Sequence, residues 1–351
     1  MTTCVVDGNS LLHRSYHALA GSGLRTREGT PSWAIKGLWN HLCSAVDRAG
    51  ADEVVVAFDA GRTSRHTAYP DYKAGRADKP ADLTAQLDAA PEHLRAAGLR
   101  VVTEDGYEAD DIVAAVARQR SAAGADVVIV TSDRDAFSLI NTRVRVLRVI
   151  NGGPDAWPML TVDRLPLLVG VRPDQYLAYA ALRGDASDNL PGVPGIGEKT
   201  AAALLRGLDT HGITLAEAID DADDGSDLLA RIIGKARVGK LLSDQGRTNL
   251  ARNLNLMAAL PVAANVDLSG ASLPLDTDTL VAELSAWSMA SVIDRATAVL
   301  CAGAPAAPAT EVAVDDGWVS GDDLWAFAPD GGAAAAPPAP SDDGQLTFGL
   351  T

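Results

Sequence analysis

The chain has 351 residues, of which 47% are hydrophobic and 22% are charged, a composition typical of a globular protein. No apolar run reaches the roughly 20 residues of a membrane span, and the N-terminus lacks the layout of a signal peptide. Cys4, Cys43 and Cys301 are too far apart in sequence to indicate a metal motif. We therefore expect reduced thiols and a cytoplasmic protein with no membrane partner.

The formal net charge of −16 argues at first against a nucleic-acid partner, but the charge is unevenly distributed. No Lys or Arg follows Cys301, whereas eight acidic residues do: Glu311, Asp315, Asp316, Asp322, Asp323, Asp330, Asp342 and Asp343. Without these eight carboxylates the net charge is −8. The segment 303–351 is also rich in Ala, Pro and Gly, and we expect it to be disordered. Net charge thus describes solubility more than any binding surface.

The first half of the chain alternates apolar strands with amphipathic helices. The β-branched runs are 3–9, 53–61, 99–106, 126–135 and 144–150, and the helical stretches between them are 33–49, 81–97 and 108–123. This alternation predicts an α/β fold with a mostly parallel sheet covered by helices. Residues 161–260 have a helical pattern, and 272–300 suggest a closing helix pair.

Acidic residues stand where the predicted strands end. Asp7, Asp59 and Asp133 each end an apolar strand, and Asp135 follows two residues later. Three more acids lie in "YEADDIVAAVARQ", at the start of a helix: Glu108, Asp110 and Asp111. The carboxyl edge of an open α/β sheet is where ligands bind. Any single Asp of this kind can equally be a turn former or a helix cap, so the argument depends on the repetition.

A second acidic group precedes a glycine-rich loop in "GDASDNLPGVPGIGEKTA". Asp185 and Asp188 lead into Gly192, Gly195 and Gly197, after which a helix begins near Glu198. Glycines leave backbone N–H groups uncovered, and such groups at a helix N-terminus attract phosphate. The alternative is an ordinary tight turn, but the sequence of this loop is far more particular than a lone Gly-x-Gly.

If these segments meet, nine carboxylates share one edge. Two carboxylates about 5 Å apart repel by roughly 3 kcal/mol at an effective dielectric constant near 20. Either several carry protons or divalent cations lie among them. Oxygen-only ligands favour Mg²⁺ or Mn²⁺, and so many carboxylates suit two ions, which together can promote a phosphodiester displacement.

The hairpin and its flanking motifs resemble the 5′–3′ exonuclease/flap endonuclease family, to which the nuclease domain of bacterial DNA polymerase I belongs. The matching pieces occur in order over residues 3–300 and include "VDGNSLLHRSYHAL", "GTPSWAIKGL", "VAFDAGRTSRHTAYPDYKAGR", "GYEADDIVAAVA" and "VVIVTSDRDAFSLI". The resemblance implies a PIN-like, Rossmann-like catalytic domain over 1–165 with a helical arch near 60–95. It further implies a helical domain over 166–300 whose helix-3-turn-helix hairpin spans 184–206.

The resemblance also implies roles for individual residues. Two Mg²⁺ or Mn²⁺ ions are expected on Asp7, Asp59, Glu108, Asp110, Asp111, Asp133, Asp135, Asp185 and Asp188. In the family pattern Asp7, Asp59, Glu108 and Asp110 lie nearer one ion, and Asp133, Asp135, Asp185 and Asp188 nearer the other. Lys73 and Arg76 match cationic residues beside the scissile phosphate. DNA contacts are expected from Arg14, Arg65, Tyr69, Tyr72, Lys79 and Lys199, and from the hairpin glycines Gly192, Gly195 and Gly197, which also fit a K⁺ loop.

The remaining sequence features, among them the histidines, two tryptophans and the C-terminal peptide, do not indicate catalytic groups. The six histidines do not cluster in sequence, and we interpret them as structural or surface residues. Trp33 and Trp39 are interpreted as core residues. Residues 345–350, "QLTFGL", loosely resemble the peptide that docks on the bacterial sliding clamp; a frayed terminus is the alternative. We expect a stand-alone monomeric nuclease, of a bacterium or a phage, in the cytoplasm of the cell or host.

Its expected substrates are DNA with 5′ ends, flaps or nicks, and RNA–DNA hybrids during primer removal. Two competing hypotheses remain at this stage. The first is a catalytically silent DNA-binding scaffold that uses the hairpin alone; the full acid set counts against it. The second is a PIN-like ribonuclease, which would not need the hairpin.

Overall fold

The structure, a computed structural model, describes residues 1–61, 63–262 and 266–302. The expectations for the acidic tail 303–351 and its peptide 345–350 lie outside the described residues. No helix in the described part of the chain is both long and apolar enough to cross a membrane. Cys4 and Cys43 are buried and Cys301 is half-buried, all three as free thiols, as expected from their spacing.

The centre of the molecule is a six-stranded sheet. Its strands are β1 (Thr2–Asp7), β2 (Glu53–Ala57), β3 (Arg100–Val102), β4 (Asp126–Thr131), β5 (Val144–Arg148) and β6 (Met159–Leu160). They lie in the order β3-β2-β1-β4-β5-β6, parallel except for the short edge strand β6. All five predicted strands are therefore confirmed. Since parallel strands buried on both faces favour Val and Ile, the runs "VVV" and "VVIV" lie at the centre.

Alternate residues of each strand face two helical layers. Cys4 and Val6 point to the layer of α1 (Gly8–Leu19), α2 (Trp33–Ala49) and α4 (Ala81–Ala96), while Val5 faces α5 (Ala109–Ala122). Trp33 and Trp39 are buried in the first layer, which confirms them as core residues. The closing pair α13 (Thr277–Ala286) and α14 (Ala290–Leu300) packs on the same layer, as predicted.

The segment expected to form a helical arch is mostly not helical. Between β2 and α4 it contains only α3 (Ser64–Ala68), followed by turns over 70–76. The helix α4, which falls within the predicted arch, instead packs on the helical layer of α1 and α2. Gln86 accepts a hydrogen bond from the backbone N–H of Ala34 at 2.7 Å, and Leu83 and Leu94 are buried. Only residues 64–80 of the predicted arch thus lie outside α4. We call them the crossing segment, which is shorter than the predicted 60–95.

The second half of the described chain is helical, with one two-stranded hairpin. Its helices are α6 (Arg164–Val169), α7 (Pro173–Arg183), α8 (Glu198–Asp209), α9 (Leu215–Asp223), α10 (Leu228–Ile233), α11 (Lys235–Leu241) and α12 (Asp244–Met257). The hairpin strands are β7 (Gly184–Asp185) and β8 (Leu190–Pro191), and short 3₁₀ helices occupy Ala20–Ser22, Asp135–Leu139 and Pro154–Ala156. Leu204 and Tyr176 share one continuous core with Ile112 of α5, a helix that packs on the sheet. This core fixes the hairpin against the carboxyl edge of the sheet.

Candidate active site

The strand-end aspartates meet at the carboxyl edge of the sheet, and two of them also organise the backbone there. The Asp7 carboxylate accepts hydrogen bonds from Ser10 N at 2.9 Å and from Thr131 Oγ1 at 2.8 Å, so it caps α1. Asp59 accepts from Ala109 N at 2.8 Å and from Asn9 at 2.7 Å. Helix capping, the alternative left open by the sequence, is therefore one of their roles, and it holds them in fixed positions.

Three aspartates at this edge, buried Asp7 and half-buried Asp110 and Asp135, are repelled by neighbouring acids. Burial, followed by repulsion from Asp133 and Asp59, raises the pKa of Asp7 to about 7. Burial and neighbouring carboxylates likewise raise the pKa values of Asp110 and Asp135 well above their ordinary range. Each of these acids interacts electrostatically with Asp133. The convergence predicted from the strand ends is present.

The hairpin brings the second acidic group to the same place. Asp185 and Asp188 both contribute to the electrostatic repulsion on Asp135. Burial also raises the pKa of Asp188, and opposing attraction from Lys73 and Arg76 limits the shift. Asp185 accepts hydrogen bonds from Ser187 N at 2.8 Å and Ser187 Oγ at 2.6 Å, which fixes the turn between β7 and β8.

Lys73 and Arg76 face these acids from the crossing segment. Lys73 Nζ donates to Glu108 at 2.9 Å, and its backbone N–H donates to Asp188 O at 3.0 Å. Arg76 forms an ion pair with Asp188. Lys73 has a φ of 59°, a conformation that non-glycine residues rarely adopt. Both predicted cationic side chains therefore line the same pocket as several of the acids, as we expected for groups beside a scissile phosphate. We call it the acidic pocket, and its acidic residues are Glu108, Asp110, Asp133, Asp135 and Asp188.

The structure corrects the assignment of Asp111 as a metal ligand. Its side chain is fully buried, and its two oxygens accept hydrogen bonds from Arg65 at 2.7 and 2.8 Å. They also accept from the backbone N–H groups of Leu260 and Glu108. Because both Asp111 oxygens are hydrogen-bonded to Arg65 and to backbone N–H groups, this side chain stabilises the start of α5 instead.

The same buried group overturns two predicted DNA contacts. Arg65 is 5% exposed, because its guanidinium pairs with Asp111 and donates to Leu256 O at 2.7 Å. Tyr72 is also 5% exposed, with its hydroxyl donating to Glu108 at 3.2 Å. Neither side chain presents a surface to a nucleic acid. Both join the crossing segment to the body.

The remaining predicted DNA contacts are more accessible. Lys79 and Lys199 are exposed, the latter in the first turn of α8. Arg14 is half-buried and donates to Asn151. Tyr69 is half-buried, with the Arg252 guanidinium 5.0 Å from its ring centre.

The three hairpin glycines have different reasons to be glycine. Gly195 has a φ of +76°, and Gly197 is open at the start of α8. Gly192 is half-buried: a Cβ there would lie 2.2 Å from Arg183 O, and its carbonyl accepts from Asn249 at 2.9 Å. Gly192 thus permits close packing of the hairpin against Arg183, and its expected DNA contact stays a prediction. Gly195 and Gly197 remain candidates for phosphate and K⁺.

Sequence reasoning missed the residues of α12 that hold the hairpin. Asn253 Nδ2 donates to Ala181 O at 3.0 Å and to Pro191 O at 3.1 Å, and Asn249 donates to Gly192 O. The two asparagines are four residues apart, hence on one helical face. A pair of buried-face asparagines in "NLARNLNLM" was the available signal, and it indicates backbone anchoring.

None of the six histidines, all of which lie in the described ranges, lines the acidic pocket. His93 is buried, accepts from Trp39 Nε1 at 2.8 Å and contacts Glu283 at 2.7 Å. Burial lowers the pKa values of His13 and His41 to about 4. These contacts agree with the structural interpretation made from sequence.

The pocket fits divalent cations by its chemistry. Its acidic side chains offer only oxygen, and burial holds several of them near one another at a cost that cations would offset. As they stand, no three His, Cys, Asp or Glu side chains within the described ranges are arranged to hold one ion. Glu108 and Asp188 are instead paired with Lys73 and Arg76. An ion held by Glu108 or Asp188 would therefore have to replace the Lys73 or Arg76 side chain as the partner of that carboxylate.

Comparison with known proteins gives the same interpretation. Residues 2–163 match the family model of the 5′–3′ exonuclease N-terminal resolvase-like domain, and 171–272 match that of the 5′–3′ exonuclease C-terminal SAM fold. DNA polymerase I of Chloroflexus aurantiacus is 40% identical over 223 residues, 62% of this chain and 23% of the relative. The thermostable DNA polymerase I of Thermus aquaticus is 44% identical over 202 residues, 57% and 23% of the two chains. The chain thus spans about a quarter of these curated relatives.

Solved structures share the fold. The T5 5′-exonuclease with bound zinc ions aligns with a TM-score of 0.56 at 20% identity, covering 86% of this chain and 98% of that one. The bacteriophage T5 flap endonuclease, in a pseudo-enzyme-product complex with DNA and metal ions, aligns with a TM-score of 0.55 at 19% identity and the same coverage. From both matched domains and the shared fold, we conclude that this chain belongs to the 5′–3′ exonuclease family.

Proposed function

We propose that the protein is a structure-selective 5′ nuclease that hydrolyses phosphodiester bonds of DNA, as a 5′–3′ exonuclease and 5′-flap endonuclease, with two Mg²⁺ or Mn²⁺ ions. The observation that carries the proposal is a single pocket in which strand-end and hairpin acids lie beside two cationic side chains. Asp133, Asp135 and Asp188 line it together with Lys73 and Arg76. A silent scaffold would have no reason to keep buried carboxylates that repel one another.

Two groups of carboxylates would hold the ions. Asp7, Asp59, Glu108 and Asp110 would serve one, and Asp133, Asp135, Asp185 and Asp188 the other. Bound divalent ions at such a site lower the pKa of water and stabilise the oxygens of an in-line displacement. Asp7 and Asp59 are oriented for this role by their own backbone contacts, described above.

The cationic and backbone groups would handle the DNA. Lys73 and Arg76, released from Glu108 and Asp188, would offset the charge that develops on the phosphate. The amides at Gly197 and the start of α8 would bind the duplex backbone without reading bases, and Lys199 would add a point charge. A K⁺ ion at Gly195 and Gly197 is part of this proposal. Lys79 and Tyr69 flank the path of a 5′ single strand.

The test is cleavage of end-labelled substrates. Wild-type protein is incubated with flap, nicked, blunt and RNA–DNA substrates, each with Mg²⁺ and with EDTA. We expect Mg²⁺-dependent release from 5′ ends and flaps. The double variant Asp133→Asn with Asp135→Asn should lose at least about 1,000-fold in rate, since both groups would hold an ion at the reacting phosphate.

A charge-matched control is Asp220→Asn with Asp221→Asn, two exposed acids of α9. It should cleave like wild type. Full cleavage by the Asp133/Asp135 variant would refute the mechanism, and cleavage confined to single-stranded RNA would favour a ribonuclease. The proposed contact of residues 345–350 with a sliding clamp is separate, and deletion of 344–351 should abolish retention on an immobilised clamp.

A further inference from the structure

Two arginines beside the acidic pocket share one carboxylate of the hairpin helix. Glu198, in the first turn of α8, lies 3.3 Å from Arg183 Nη1 and 3.6 Å from Arg134 Nη1. The arginine side chains are 15% and 21% exposed, whereas Glu198 is 51% exposed. Glu198 therefore reaches inward from the surface to two largely buried guanidinium groups.

Both arginines are neighbours of the acids in sequence and in space. Arg134 stands between Asp133 and Asp135, and Arg183 ends α7 two residues before Asp185. The positive charge of Arg183 acts directly on Asp135, and Asp185 acts on Arg183. Arg183 is thus close enough to these acids to compete with a cation for them, and Arg134 adjoins two of them in the chain.

Arg183 is held toward Glu198 by further contacts. Its Nε donates to Gly184 O at 3.0 Å, and its guanidinium lies 5.6 Å from the ring centre of Tyr179. These contacts leave Nη1 directed at the Glu198 carboxylate. If that carboxylate were removed, Asp135 and Asp185 would be the acids left to attract Arg183.

We propose that Glu198 is a positioning residue that keeps Arg183 and Arg134 from occupying the acidic group, so that its oxygens stay available to divalent cations. The inference rests on the proposed function for its biological meaning, but the competition between arginine and metal can be measured without DNA. The Glu198 side chain would thereby connect the proposed metal-binding acids to the end of α8 that is proposed to bind phosphate.

The simpler alternative is that Glu198 only ties α8 to α7. The chain contains a matched ion pair for that role at the other end of the same helices. Arg172, the residue before α7, pairs with Asp209, the last residue of α8. Asp209→Asn removes a tie between the two helices, as Glu198→Gln does, without an arginine beside the acids.

The experiment measures Mn²⁺ affinity of the full chain by calorimetry. Glu198→Gln should weaken Mn²⁺ binding about fivefold, a change expected from one partly exposed charge contact, while Asp209→Asn should leave it unchanged. In the cleavage assay the half-maximal Mg²⁺ concentration should rise by a similar factor. The rate at saturating Mg²⁺ should return to the wild-type value, since the catalytic groups are intact.

A double-mutant cycle separates competition from simple electrostatics. If Glu198 already sequesters Arg183, Arg183→Met alone should change Mn²⁺ affinity less than about twofold, yet it should recover most of the loss in the Glu198→Gln background. An equal effect of Arg183→Met in both backgrounds would overturn the proposal. So would unchanged Mn²⁺ affinity in Glu198→Gln.

The outcomes distinguish this inference from the proposed function. Wild-type cleavage together with additive Mn²⁺ effects would refute the role of Glu198 and leave the nuclease assignment standing. Non-additive Mn²⁺ effects in a protein that cleaves no DNA would support the role of Glu198 and refute the nuclease assignment. A wild-type chain that binds no Mn²⁺ would refute both.

Discussion

The two sides of the acidic pocket hold their carboxylates in opposite ways. On one side Glu108 and Asp111 are paired with the cations of Arg65 and Lys73. Burial alone would raise the pKa of Glu108, but attraction to Lys73 and Arg65 outweighs it and lowers the pKa. On the other side burial and mutual repulsion raise the pKa values of Asp7, Asp110 and Asp135.

This contrast shows which acids serve stability and which serve binding. A buried charge is tolerated when a well-placed partner and further hydrogen bonds compensate it. Asp111 has four such hydrogen bonds, two of them from Arg65. Asp135 is surrounded by further acids, so its ionised form is costly until a cation arrives. We infer that Asp111 is scaffold, whereas the second side binds metal together with Glu108 once Lys73 has released it.

The largest effect should come from breaking the compensated side. Arg65→Met removes the partner of buried Asp111 and should cost about 3–5 kcal/mol of unfolding free energy, because the carboxylate remains without its cation. The measurement is urea denaturation of the metal-free protein. Arg118→Met, at an exposed position of α5, is the control and should change stability by less than about 0.5 kcal/mol.

A second variant tests the physical reason. Adding Asp111→Leu to Arg65→Met removes the orphaned charge and should recover part of the loss, giving a coupling of about 1–3 kcal/mol between the two positions. A loss below about 1 kcal/mol in Arg65→Met alone would show that the pair does not compensate Asp111 as argued.

An effect of intermediate size should come from the uncompensated side. The folded-state pKa of Asp7, about 7, lies above its ordinary value of 3.8. Its contribution to stability is therefore fully present below pH 3.8 and is lost as the pH rises through about 7. Between pH 4 and 8, metal-free wild type should lose about 2 kcal/mol relative to Asp7→Asn, less than full linkage because neighbouring acids share the titration.

The comparison with Asp7→Asn isolates this carboxylate. His13 and His41, whose lowered pKa values change stability in the opposite direction, are present in both proteins and cancel. Asn can still cap α1, so the loss of the cap is not the variable. Saturating Mn²⁺ should raise the unfolding free energy of wild type and change that of Asp7→Asn much less. A pH-independent difference between the two proteins would contradict the assigned pKa.

The sequence predicted one side of the pocket better than the other, for a physical reason. Acids at the ends of parallel strands must meet at one edge, so Asp7, Asp59 and Asp133 were placed by topology. The sequence could show that Glu108 and Asp111 lie three residues apart at the start of α5, but not that both meet Arg65. That pairing also depends on Leu256, 191 residues away from Arg65, whose carbonyl orients the guanidinium.

Burial was the second quantity that the sequence could not supply. Arg65 and Tyr72 have the residue types of a nucleic-acid contact, and only packing against the body makes them structural. Similarly, α4 has an amphipathic pattern that suits an arch or a core helix. Leu83, Gln86 and His93 decide between these, because their partners lie on α2 and α13.

The smallest effect on stability should come from Arg76, which separates function from scaffold most sharply. Its side chain is 52% exposed, so Arg76→Gln should change the unfolding free energy of the metal-free protein by less than about 0.5 kcal/mol. Flap cleavage should nevertheless slow at least about tenfold, because the cation is placed to offset charge on the phosphate. Arg118→Gln, exposed on α5, should affect neither quantity. If Arg76→Gln destabilised the protein as much as Arg65→Met, the crossing segment would be scaffold throughout, and the division between the two sides of the pocket would not hold.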